Sequence, residues 1–114
     1  MAKTPKKAAD YLSLRVNAQL KDDFYNLCKR EGTMAGRVIK LFAKQFSENC
    51  NMQFSPTGDR SYSDDDQIRI SVFIEAENRQ RFSAACEEYG LPMSSIVRSF
   101  MDDCVTNNRL PFNT

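Results

Sequence analysis

Two stretches, YLSLRV at residues 11–16 and RISVFI at residues 69–74, alternate apolar residues with others in the way half-buried β-strands do. Leu12, Leu14 and Val16 fall on one face of the first, and Ile70, Val72 and Ile74 on one face of the second. Neither has another strand pattern beside it. A lone strand leaves its backbone donors and acceptors unpaired, and even an isolated two-stranded hairpin is marginal in water. The two stretches are therefore expected to pair with one another over a layer that covers their apolar faces.

An internal repeat supports the pairing. Gly32 and Gly90 lie 58 positions apart, and the same offset aligns residues 11–56 with residues 69–114 without a gap. Eight positions are identical: Ser13/Ser71, Ala18/Ala76, Phe24/Phe82, Cys28/Cys86, Gly32/Gly90, Phe42/Phe100, Asn49/Asn107 and Phe54/Phe112. Val38/Ile96, Ile39/Val97 and Met52/Leu110 keep their apolar character, so the copies share a plan of burial.

In each copy the period changes from 2 to 3.6 after the strand. Asn17 has the chemistry of an N-cap, and Leu20, Phe24, Leu27 and Cys28 recur at helical spacing up to Gly32, a natural stop. The matching helix runs from about residue 76 through Phe82, Ala85, Cys86 and Tyr89 to Gly90. A second helix carries Val38, Ile39, Phe42 and Phe46 in copy one, and Ile96, Val97, Phe100, Met101, Cys104 and Val105 in copy two. Such broad stripes mark helices buried on more than one side. Pro92 fits a helix start. The copies end in short hooks, MQF at residues 52–54 and LPF at residues 110–112. Between them SPTGDRSYSDDD, residues 55–66, is polar, turn-rich and aperiodic, and reads as a linker. The fold expected is mainly α with a short two-stranded antiparallel ribbon, divided into a basic arm (1–10), copy one (11–54), the linker (55–66) and copy two (67–114).

Strand, helix, helix, twice over, resembles the MetJ/Arc ribbon-helix-helix superfamily across nearly all of residues 11–112. The resemblance implies that the strands form one antiparallel ribbon above four intertwined helices. In that superfamily the arrangement is usually a homodimer; here the fused copies would form one pseudo-dimeric domain. GLPMSSIVRSFMDDCVTNNRLPF, residues 90–112, is similar to the RelB/DinJ antitoxin branch. GTMAGRV, residues 32–38, departs from that branch: it lacks the proline and the serine pair, and its second glycine weakens the helix start. The fusion itself is similar to relaxosome accessory proteins of the TraY type.

What the resemblance implies for function is double-stranded DNA binding, because a two-stranded ribbon fits the major groove, where base pairs differ in their donors and acceptors. The base-reading positions would be Tyr11, Ser13 and Arg15 on one strand and Arg69, Ser71 and Phe73 on the other. An ordinary solvated sheet face would be satisfied by the same residues, and an exposed Phe73 also suits an edge cover or a protein contact. Phosphate contacts would come from the N-terminus of each second helix: Met34, Ala35 and Gly36 with Arg37 nearby, and Met93, Ser94 and Ser95. Plain capping is the competing reading. Lys3, Lys6 and Lys7 form a basic arm suited to the phosphate backbone, or a solubilising tail. Because only the serine positions match between strands, an asymmetric DNA subsite is expected.

Composition removes other classes. The chain has no histidine and only four glycines, and it contains no GxSxG or phosphate-binding loop, so an enzyme is not expected. Four cysteines without a CxxC pair suggest neither a zinc site nor any other cofactor; Cys28 and Cys86 read as core residues, Cys50 as more exposed. No apolar run is long enough to span a bilayer, and the N-terminus lacks a signal-peptide core, so a cytoplasmic location is expected.

The net charge of +1 hides an asymmetry. Residues 1–56 carry ten Lys or Arg against five Asp or Glu, a net of +5; residues 57–114 carry six against ten, a net of −4. Glu75, Glu77, Glu87, Glu88, Asp102, Asp103 and the run of residues 64–66 make copy two acidic, either as solvated surface or as a face for a protein partner. The leading expectation is a transcriptional repressor of a plasmid, phage or mobile element. A relaxosome accessory protein, an antitoxin-type autoregulator and a protein-binding module without DNA binding stand as alternatives. The end of the chain at Thr114, two residues past Phe112, is read as weighing against a long toxin-wrapping tail.

Overall fold

The computed structural model describes residues 9–49 and 65–110. The three arm lysines, Cys50, the MQF hook, most of the linker, and Phe112 with its neighbours lie outside the described residues. The element order is β1 (Ala9–Asn17), α1 (Ala18–Arg30), α2 (Ala35–Asn49), β2 (Gln67–Glu75), α3 (Ala76–Tyr89) and α4 (Met93–Asn107). The protein is thus mainly helical with one two-stranded antiparallel sheet.

β1 and β2 pair from Ala9↔Glu75 to Asn17↔Gln67 with Ser13 opposite Ser71. Both strands run beyond the alternating stretches, so Ala9 and Asp10 belong to the ribbon and not to the arm. Ladder hydrogen bonds need only backbone, and polar flanks continue them past the last apolar residue. Asn17 caps α1 by accepting from the N–H groups of Gln19 and Leu20. Its Nδ2 also donates to the Asp65 carbonyl at 2.9 Å, and the Ala18 N–H donates to the Asp66 carbonyl at 2.9 Å. The end of the linker is therefore fastened to the start of α1.

The first helix of each copy stops in the same way. Gly32 and Gly90 take φ of 79° and 95°, in the left-handed region open to glycine, while the N–H groups of Thr33 and Leu91 return to the carbonyls of Cys28 and Cys86. One start differs from expectation: Pro92 sits just outside α4, as its N-cap, and Met93 is the first helical residue.

Contacts between the copies are reciprocal. α2 packs mainly on α3, and α1 on α4, which are the same pairing under the 58-residue offset. Phe42 and Phe100, themselves equivalent, stack at 4.0 Å between centroids. Phe24 meets Phe100 edge-on at 6.1 Å, and its counterpart Phe82 meets Phe42 at 5.9 Å. Residue i of one half touching j of the other, and j touching i, is the pattern of a two-fold interface. Leu12, Leu14, Val16, Ile70, Val72 and Ile74 are buried, whereas Ile68 at the end of the same face is exposed, and among the described residues the core holds no polar or charged side chain. Each such side chain stabilises the fold by about 1.5–3 kcal/mol.

Candidate nucleic-acid interface

Alternation leaves one face of the ribbon open. Tyr11, Ser13 and Arg15 of β1 and Arg69, Ser71 and Phe73 of β2 are all exposed there. The register sorts them into three cross-strand pairs: Tyr11 opposite Phe73, Ser13 opposite Ser71, and Arg15 opposite Arg69. The aromatic rings meet edge to face at 5.7 Å, although Tyr11 is 57% and Phe73 52% exposed. The serine hydroxyls share a hydrogen bond of 2.9 Å. Arg15 and Arg69 occupy directly opposed positions on the two strands. Of the uses open to Phe73, the structure shows a pairing with Tyr11, which steadies a ring that would otherwise stand alone in water.

Two arginines that the sequence pattern did not single out join the helices to β1. Arg79 of α3 donates from Nε to the Tyr11 carbonyl at 3.0 Å and lies 3.9 Å from the Asp10 carboxylate. Arg98 of α4 donates from Nη1 to the Arg15 carbonyl at 3.0 Å and reaches Ser95 Oγ at 3.4 Å. Each therefore holds the backbone of an open-face residue. Their counterparts under the repeat are Lys21 and Lys40, so a basic residue kept in both copies was the available signal.

At the start of α4, Met93, Ser94 and Ser95 form the first turn, with no side chain capping it, and Arg98 ties this turn to β1 beside Arg15. In copy one the expected set shifts by a residue. α2 begins at Ala35, and the Met34 carbonyl accepts from the Val38 N–H at 3.1 Å, so Met34 is the residue before the first turn. Gly36 and Arg37 lie in that turn, while Ala35 is buried. α2 packs on β2, and a Cβ placed on Gly36 would lie 4.0 Å from Val72, so this helix start sits under the ribbon as well.

The thiols take no part in this face. Cys28, Cys86 and Cys104 are buried. Burial pushes the Cys28 thiol up to about 11 and that of Cys104 to about 12, the latter helped by nearby Asp103 and Cys28 against the lowering effect of Arg109. Among the described residues no cluster of three or more His, Cys, Asp or Glu is placed to hold a metal, and no helix is long and apolar enough to cross a membrane.

Comparison with protein families matches residues 67–114, which contain β2, α3 and α4, to the RelB antitoxin family. That match supports a RelB-like ribbon-helix-helix region over the second copy. No curated protein and no solved structure matches the chain.

Proposed function

We propose that the chain is a sequence-specific double-stranded DNA-binding regulator, that its two copies act together as a single-chain counterpart of a dimer, and that the open face of the ribbon reads bases in the major groove. The observation that carries this reading is the pairing of β1 with β2 over a shared helical core, which turns six exposed side chains into one narrow, partly basic face. A ribbon of this width fits the major groove, and its arginine and serine side chains match base-edge acceptors and donors. The first turns of α2 and α4 flank it, with unpaired N–H groups of the kind that hold phosphate. Copy one, with its excess of positive charge, would supply most of the phosphate attraction, together with Lys3, Lys6 and Lys7.

A second reading, an antitoxin-type autoregulator, is favoured by the match of residues 67–114 to the RelB antitoxin family. It keeps the same DNA face and adds a toxin protein as partner, for which the acidic surface of copy two is the candidate.

Retention on random duplex DNA across a salt series tests the main reading. Binding that weakens steeply as salt rises, followed by enrichment of a defined sequence on repeated selection, is the expected result. No retention even at low salt would leave a protein-binding module.

A further inference from the structure

Given the DNA-reading function proposed above, on which this rests, we infer that the ribbon is a directional reader. Arg15 and Arg69 specify guanines at one end of an asymmetric subsite, and Tyr11 and Phe73 set the other end. Under the repeat, Arg69 corresponds to Tyr11 and Phe73 to Arg15. Two identical strands in this register would place one arginine and one tyrosine at each end. Here both arginines are opposite one another at the end that joins the linker, and both aromatics are opposite one another at the end next to Ala9.

The gathered charge argues for a ligand. Like charges directly opposite in an antiparallel pair repel. Among the described residues neither guanidinium is hydrogen-bonded or ion-paired, and Arg98, bound to the Arg15 carbonyl, brings a third positive group nearby. Asp65 and Asp66 lie at the same end, where their backbone carbonyls accept from Asn17 and Ala18. Adjacent acceptors that fit a planar fork relieve the repulsion, and guanine presents such a pair in O6 and N7. The aromatic pair offers an apolar edge, whose counterpart in the major groove is the thymine methyl. Four residues of strand separate the two ends, about 13 Å at 3.3 Å per residue, which covers roughly four base pairs. The serine pair lies midway, contributes the same group from both strands, and gives no direction.

The test is selection of bound sequences from random duplex DNA by the full chain, by Arg15→Ala, by Arg69→Ala, and by a double variant, Arg69→Phe with Phe73→Arg, which restores one arginine and one aromatic to each end. The wild type should select G·C pairs at one end and A·T pairs at the other. Each alanine variant should bind that site roughly 10- to 100-fold more weakly and lose preference only at the G·C end. The double variant should select guanines at both ends in a near-palindromic site. A mirror-symmetric wild-type consensus, an equal loss on all sequences, or an unchanged consensus for the double variant would each overturn the directional reading while leaving DNA binding in place. Absence of any DNA retention by the folded wild type would overturn the DNA-reading function and this inference with it.

Discussion

Residues 9–49 and residues 67–107 repeat the same three elements, yet they agree inside and disagree outside. The buried positions correspond almost one for one: Leu12 with Ile70, Phe24 with Phe82, Cys28 with Cys86, Val38 with Ile96, and Phe42 with Phe100. On the surface, charge is reversed at Lys29 and Glu87, at Arg30 and Glu88, and at Lys44 and Asp102. Reciprocal packing accounts for the agreement, because rings such as Phe24 and Phe100, and Phe42 and Phe82, meet across the halves and a change in volume at one is felt at the other. Outward positions face water and carry a looser constraint, even where they meet across the halves, as Arg30 does with Asn108 at 2.6 Å and Tyr11 with Phe73 at 5.7 Å. On the proposed reading of the chain as a single-chain counterpart of a dimer, a matched core can be kept while the surface acquires a direction, which two identical chains cannot do.

The largest expected effect tests the shared core. Phe42→Ala and Phe100→Ala should each lower stability by about 3–5 kcal/mol in urea unfolding, and the double variant should cost measurably different from the sum because the rings stack. If one change were severe and the other mild, the halves would not be packed reciprocally. Next come the glycines. Gly32→Ala and Gly90→Ala should each cost about 1–2 kcal/mol because of their positive φ. Gly36→Ala should instead stabilise by up to about 1 kcal/mol, since it lies in a helix and its new Cβ would meet Val72 at an ordinary 4.0 Å.

A smaller effect separates the two helix interfaces. Between α2 and α3, Phe46 meets Phe82 edge-on at 5.8 Å and Tyr89 at a tilt at 6.0 Å; at the equivalent place between α1 and α4 stands Cys104, beside Cys28. The folded state holds both thiols protonated past their ordinary value of 9.0, whereas the unfolded chain ionises them there. The contribution of these thiols is thus complete below the unfolded value of 9.0 and is lost as pH rises towards the folded values. Urea midpoints should fall over that window, and less steeply in a Cys28→Ala, Cys104→Ala variant than in the wild type.

Much of the fold was legible because its cause is local. Alternation marked the strands, and the positions of Asn17, Gly32 and Gly90 marked where helices begin and stop. The shared offset matched the order of elements, strand, helix, helix, in residues 9–49 and again in residues 67–107. The strand register was not legible in the same way, since a period of two tells which face a residue occupies but not which residue opposes it. The six open-face residues were therefore identifiable from the sequence, whereas their sorting into an arginine end and an aromatic end was not. Arg79 and Arg98 escaped for a related reason: they sit on helices and act on strand carbonyls 68 and 83 positions away. The first turn of α2 was misplaced by one residue because Met34 corresponds to Pro92, which caps its helix from outside, and not to Met93.

The most direct measurement is the affinity of the folded chain for its selected duplex and for a scrambled duplex at one fixed salt concentration, compared with Arg15→Ala, Arg69→Ala and Arg81→Ala. Arg81 is an exposed arginine of α3 paired with Glu77 at 2.7 Å, away from the ribbon's own sequence, and serves as the control. The account expects Arg15→Ala and Arg69→Ala each to lose about 1–3 kcal/mol on the selected duplex and little on the scrambled one, with Arg81→Ala unchanged on both. Equal losses from all three variants, or losses from the ribbon variants that are the same on both duplexes, would contradict base reading by the open face.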